Sequence, residues 1–246
     1  MSRPPGRPSR IVATLAVVAL TLLAGCSASA LPGFGPSQPY DTPLNASEVE
    51  AGHTAALEDA GSATVVVETN LTIAGRTAGQ GNVAVQQEFD DGPTYARMNA
   101  SGATREVYLP ANGTGYSRTS AGGGLVKYET VDGDRNASAF TELDVGQLVE
   151  RYNFTVNGTA DVGGETTYVY ETQNASLVEG LPGDTEFGNV SARLYIRSDG
   201  LVKRVSVQAG SSEDLSLSMT RTYVDVGSTT VDEPTWLDDA KEATGS

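Results

Sequence analysis

Residues able to do chemistry are few in this sequence, and most of them point to covalent modification rather than catalysis. Cys26 is the single cysteine of the chain and follows directly on Leu23-Ala24-Gly25. Leu-Ala-Gly-Cys matches the lipobox at which lipoprotein-processing machinery cuts and attaches lipid, so Cys26 is the expected lipidated residue. Asparagine forms the second group. Nine of the ten asparagines (Asn45, Asn70, Asn99, Asn112, Asn136, Asn153, Asn157, Asn174 and Asn189) stand in Asn-x-Ser/Thr with no intervening proline, and only Asn82 does not. At this Ser and Thr content chance would place roughly two of ten there, so the set reads as N-glycosylation acceptors on an outward-facing domain.

Catalytic and metal chemistry finds little to work with. His53 is the sole histidine, in an alanine-rich stretch where a surface position is expected. A Ser-His-Asp or Cys-His site would have to be built around that one residue. There is no Cys/His cluster of zinc type. The pairs Asp90-Asp91, Asp132/Asp134 and Asp238-Asp239 lack the spacing of a calcium loop and read as solvated loop charges. Gly122–Gly124 follows no phosphate-loop pattern. The expectation is a protein that is not an enzyme, with no cofactor and no metal.

The segment before Cys26 has the order of an export signal. Arg3, Arg7 and Arg10 precede an uncharged apolar run from Ile11 to Gly25. That run is short for a bilayer-spanning helix, which needs about 20 apolar residues. An uncleaved anchor helix with an incidental cysteine is the alternative. Residues 26–45 are rich in Pro, Gly and Ser and read as a tether. At about 3.1 Å per residue it spans up to roughly 60 Å.

The net charge of −15 becomes −18 once the three leader arginines are removed, and Lys127, Lys203 and Lys241 are the only lysines. Acidic, lysine-poor chains suit high salt, where molar ionic strength screens self-repulsion to about 3 Å. A halophilic source accounts for the lysine scarcity better than ordinary acidity does. Nucleic acid, which wants a basic patch, is not an expected partner. An anionic membrane surface repels the domain as well, so the membrane must be reached through the lipid on Cys26.

The elements that must position these residues are mostly strands. Ser47 and Glu50 form a capping box that predicts a helix from Ser47 to a stop at Gly61, with Leu57 on its apolar face. Residues 63–75, with Val65, Val67, Leu71 and Ile73 on one parity, predict a half-buried strand. Further alternating segments follow around 82–90, 93–100, 104–109, 114–119 and 125–131. Phe140, Leu143, Leu148 and Val149 recur at helical spacing, and strands resume at 152–160, 165–173, 189–197, 201–209 and 213–225. Short turns between neighbours imply an antiparallel sheet. The domain is expected over 46–236, after a leader at 1–25 and before an acidic tail at 237–246.

Strand parity divides the faces. If Asn70, Asn99, Asn153 and Asn189 point to solvent, then Val67, Leu71, Met98, Phe154, Leu194 and Ile196 point inward. Asn174 shares its parity with Tyr168 and Tyr170, which calls for a bulge or a rim position.

A helix, a long curved antiparallel sheet, a helical insert and a lipobox together resemble the LolA/LolB-like half-barrels. The nearest resemblance is to LppX/LprAFG-type lipoproteins and similar haloarchaeal surface lipoproteins. The segments 189–208 and 220–236 carry it: strand, Asp-x-Gly turn and Leu-x-x-Arg return, then a last strand with a closing proline segment. The resemblance implies a mainly β (α+β) fold, a curved sheet with an N-terminal helix and a short helical insert on its concave face. It also implies an apolar ligand, lipid or otherwise, in a diffuse lining. Val65, Val67, Leu71, Met98, Phe154, Leu194 and Ile196 are the expected lining on the sheet, facing Phe140, Leu143 and Leu148. The alternative is a glycosylated envelope component or partner-binding module with a closed core.

Overall fold

The computed structural model describes residues 38–131, 144–175, 189–212 and 215–245. Cys26, Asn136, Phe140 and Leu143 lie outside them. Eleven strands form one antiparallel sheet that is curved and does not close: β1 (Ser62–Ile73), β2 (Arg76–Glu88), β3 (Thr94–Ala100), β4 (Ala103–Leu109), β5 (Gly115–Ala121), β6 (Leu125–Val131), β7 (Thr155–Val162), β8 (Glu165–Ala175), β9 (Asn189–Ile196), β10 (Val202–Ser212) and β11 (Leu215–Val224). Three helices accompany it among the described residues: α1 (Ala46–Ala60), α2 (Val145–Arg151) and α3 (Leu237–Thr244).

The order across the sheet is β6-β5-β4-β3-β2-β1-β11-β10-β9-β8-β7. Two meanders therefore run outward from a central pair, β1 and β11. That pair is matched from Thr64↔Val224 to Ile73↔Leu215. The hairpins at Ala74-Gly75, Ser101-Gly102 and Gly163-Gly164 each place two successive residues at positive φ, the backbone a two-residue turn needs to match strand twist. The pairing of β8 with β9 shifts between Thr172 and Ala175, so a bulge sits where Asn174 breaks the parity rule.

Helix α1 begins earlier than the capping box implies. Asn45 is its cap, accepting from the Glu48 N–H through Oδ1 at 3.2 Å, and Gly61 closes it in a left-handed conformation. Asn caps at least as well as Ser, so the upstream residue wins. Residues at the end of the expected tether are already packed. Tyr40 N–H donates to Tyr170 Oη at 3.2 Å, and that hydroxyl donates back to the Tyr40 carbonyl at 2.8 Å. The Tyr40 ring sits so close to α1 that a Cβ on Gly52 would lie 2.0 Å from its hydroxyl, and one on Gly200 would lie 2.8 Å from it.

The core divides into three clusters. Helices α1 and α2 cover the first, built on Tyr170, Leu194, Ile196, Val202 and Val205 with Val49 and Val149 from the helices. Val65, Val85, Ala96, Val107 and Tyr223 form the second on the same face, under Leu57. The third is on the opposite face. There Tyr108 and Tyr116 pack beneath Trp236, Leu237 and Ala240. The segment expected as an acidic tail thus contains a folded helix. Asp238 and Asp239 are exposed on its first turn while Leu237 and Ala240 are buried, because the Tyr95–Tyr108–Tyr116 cross-strand row offers an apolar seat.

Candidate functional site

Register decides which side chains share the helix-bearing face. One matched row runs Tyr223–Val65–Val85–Ala96–Val107 and is fully buried. The next row outward brings Val67 opposite Val83 and Met98, all three only half-buried, with Arg221 beside Val67 and Arg105 beside Met98 at the ends of this apolar stretch. Beyond it Thr69 pairs with Met219 and Leu71 with Leu217, again half-buried. Apolar surface therefore continues past the area the helices cover.

Two glycines shape that surface. On β2, Gly81 stands between Thr69 and Ala100, and Gly79 stands beside Leu71. Both have the parity of Val83 and Val85, so both belong to the helix-bearing face. A Cβ on Gly81 would meet nothing within 4 Å, and one on Gly79 only the Leu71 Cβ at 4.0 Å. The backbone at these two positions is therefore left uncovered, a shallow trough flanked directly by Thr69 and Ala100, with Leu71, Leu217 and Met219 further out on one side and Met98 on the other.

The expected lining residues fall in different places. Val65, Phe154, Leu194 and Ile196 are at most 2% exposed and are packing residues of the two closed clusters. Leu148 on α2 packs half-buried against the first of those clusters. Val67, Leu71 and Met98 border the trough. Val83, Leu217, Met219 and the glycines were not singled out in the sequence, although Gly79-x-Gly81-x-Val83-x-Val85 carries the alternation that marks them.

Among the acceptor asparagines, Asn45, Asn112, Asn153 and Asn157 are exposed. Asn157 donates its amide N–H to Glu171. Asn70 and Asn99 are half-buried on the face opposite α1 and α2. Asn174 lies on β8 and Asn189 begins β9.

His53 is not at the surface. It is 3% exposed, because α1 lies with Val49 and His53 against the sheet. Its Nδ1 accepts the Val202 N–H at 3.3 Å, which leaves the proton on Nε2, 3.3 Å from Tyr223 Oη. Burial, with Arg221 nearby, lowers its pKa to about 4, and burial pushes Tyr223 up to about 12. A neutral imidazole with two hydrogen bonds, buried between α1 and the sheet, acts as a strut for α1. Among the described residues no three His, Cys, Asp or Glu side chains converge as a metal site would require, and no helix is long and apolar enough to cross a membrane.

The chain belongs to a family of unknown function, DUF7537, whose model matches residues 11–240. No curated protein sequence matches it. Among solved structures it is similar to LprF from Mycobacterium bovis, at 18% identity and a TM-score of 0.44 over 77% of this chain and 96% of that one. It is also similar to the Mycobacterium tuberculosis lipoprotein LppX, at 13% identity and a TM-score of 0.38 over 78% and 100%. A LolA superfamily protein from Nitrosomonas europaea matches at 9% identity and a TM-score of 0.30 over 76% and 94%.

Proposed function

We propose that this DUF7537 member is an outward-facing lipoprotein, anchored through Cys26, that holds an apolar molecule in the trough on its helix-bearing face. One observation supports this most: the apolar rows continue beyond the closed core into half-exposed Val67, Met98, Leu217 and Met219, around a gap left by Gly79 and Gly81. Sites for apolar ligands are concave and lined by such groups with few polar ones. A hydrocarbon chain lying along β2 would cover the exposed apolar atoms, at about 25 cal/mol for each Å² removed from water. Signal, tether and glycans would present that trough outside the cell.

The second reading, a closed envelope module, is favoured by the burial of Val65, Phe154, Leu194 and Ile196 in the clusters beneath α1 and α2. Titrating the purified protein with a dansyl-labelled long-chain fatty acid separates the two. Saturable fluorescence enhancement that Met98→Asp abolishes supports the trough. Absence of saturable binding by a folded protein supports the closed module.

A further inference from the structure

The face opposite α1 and α2 holds a groove of about 980 Å³ near the outer ends of β1, β2, β3 and β11. Its side chains come from two matched rows. In the first, Thr220, Glu68, Asn82, Asn99 and Thr104 stand side by side on five neighbouring strands. In the second, Asn70 stands between Ser218 and Gln80. Among the described residues Glu68 is the one charged side chain lining the groove, although the chain carries 31 Asp and Glu residues.

We infer that this groove binds a neutral oligosaccharide. The chemistry of the wall excludes the other classes in turn. An apolar molecule would strand several amides and hydroxyls without partners. A divalent cation such as calcium takes six to eight oxygen ligands, about half of them charged in tight sites, and one carboxylate is too few. An anion would meet Glu68 and, among the described residues lining the groove, no cation. A hydroxyl-rich, uncharged ligand both donates and accepts, as the amides do. The carboxylate of Glu68 accepts from two neighbouring hydroxyls in charge-assisted hydrogen bonds.

Two details favour an occupant. Asn70 Oδ1 is a buried acceptor with no hydrogen-bond partner among the described residues, and such an atom is destabilising until a donor arrives. Asn99 is pinned, its Oδ1 accepting from Thr104 Oγ1 at 2.9 Å, which keeps its amide oriented in the wall. At about 980 Å³ the groove is at the upper end of small-molecule sites, room enough for a short oligosaccharide.

The sugar has two sources, since Asn70 and Asn99 are themselves acceptor asparagines and Asn82 between them is not. Either a glycan attached in the groove folds back along it, or the groove takes a glycan from elsewhere. Two arms of one experiment distinguish them, with Asn82→Leu as the common variant because it removes no acceptor and keeps a strand-compatible side chain. In the first arm, endoglycosidase trims the native glycoprotein and site-resolved mass spectrometry follows each glycan. Glycans at Asn70 or Asn99 are expected to be released at least tenfold more slowly than the one at exposed Asn112, and Asn82→Leu removes the difference. In the second arm, chain made without glycosylation is titrated with maltotetraose, mannotetraose and chitotetraose. Binding weakened at least tenfold by Asn82→Leu and by Glu68→Ala, both with unchanged melting temperature, assigns an external sugar. Equal release at all sites, or no sugar at Asn70 and Asn99, combined with no binding in the second arm overturns the inference. Neither arm reads the apolar trough, so loss of fatty-acid binding leaves this result standing.

Discussion

Replacing Gly81 by leucine asks whether the trough is vacant space. A Cβ at this position meets nothing within 4 Å among the described residues and the backbone is not in the left-handed region, so the side chain starts into open space. Glycine inside a strand is destabilising by roughly 0.5–1 kcal/mol relative to alanine, so the variant should melt at or slightly above the parent temperature. A bound chain would fare differently. If the leucine displaces two or three methylenes at about 0.8 kcal/mol each, about 2 kcal/mol of binding is lost, or roughly thirtyfold in Kd. The assay is the dansyl fatty-acid titration, with a thermal melt on the same samples. A folded Gly81→Leu protein that binds the probe as the parent does would refute the trough as the site. A large drop in melting temperature would refute the premise that the space is free.

Three further perturbations separate the parts of the structure. Ala192→Phe enters the closed cluster at a position with no exposure and should cost about 3 kcal/mol, read as a lower denaturation midpoint, with probe affinity unchanged in the folded fraction. His53 has a folded pKa of about 4 against about 6.5 unfolded, so below pH 6.5 the unfolded chain takes up the proton first. Stability should therefore fall by up to about 3 kcal/mol as pH drops from about 6.5 to 4, a slope absent from His53→Gln; parallel slopes in both proteins would contradict the strut. Cys26→Ser should shed the protein into the medium or leave it as precursor in fractionated cells, and a fully processed, membrane-bound variant would show that another anchor operates.

Much of the fold was legible because its signals are local. Strand alternation, Gly61 as a helix stop and the short turns place six strands, a helical insert and five strands in the observed order. The helix-bearing face follows from the same alternation, since Val65 and Val67 share parity on β1 as Leu194 and Ile196 do on β9. What escaped depends on contacts between distant segments. His53 looked like a surface residue among alanines, and only the approach of Val202 and Tyr223 makes it a buried strut. The C-terminal helix was hidden by its aspartates, because its seat is a tyrosine row more than a hundred residues upstream. The trough was only partly legible: Val67, Leu71 and Met98 on its border stood out, but the gap is made by absent side chains at Gly79 and Gly81, and Val65, Phe154, Leu194 and Ile196 instead fill the core.

Native mass spectrometry of the full-length protein, extracted from membranes in mild detergent, tests the trough most directly. The expected result is a fraction of molecules carrying a non-covalent lipid mass beyond the covalent modification, lost on collisional activation and depleted in Gly81→Leu. Parent protein that is folded, carries only its covalent modifications and takes up no added fatty acid would contradict it.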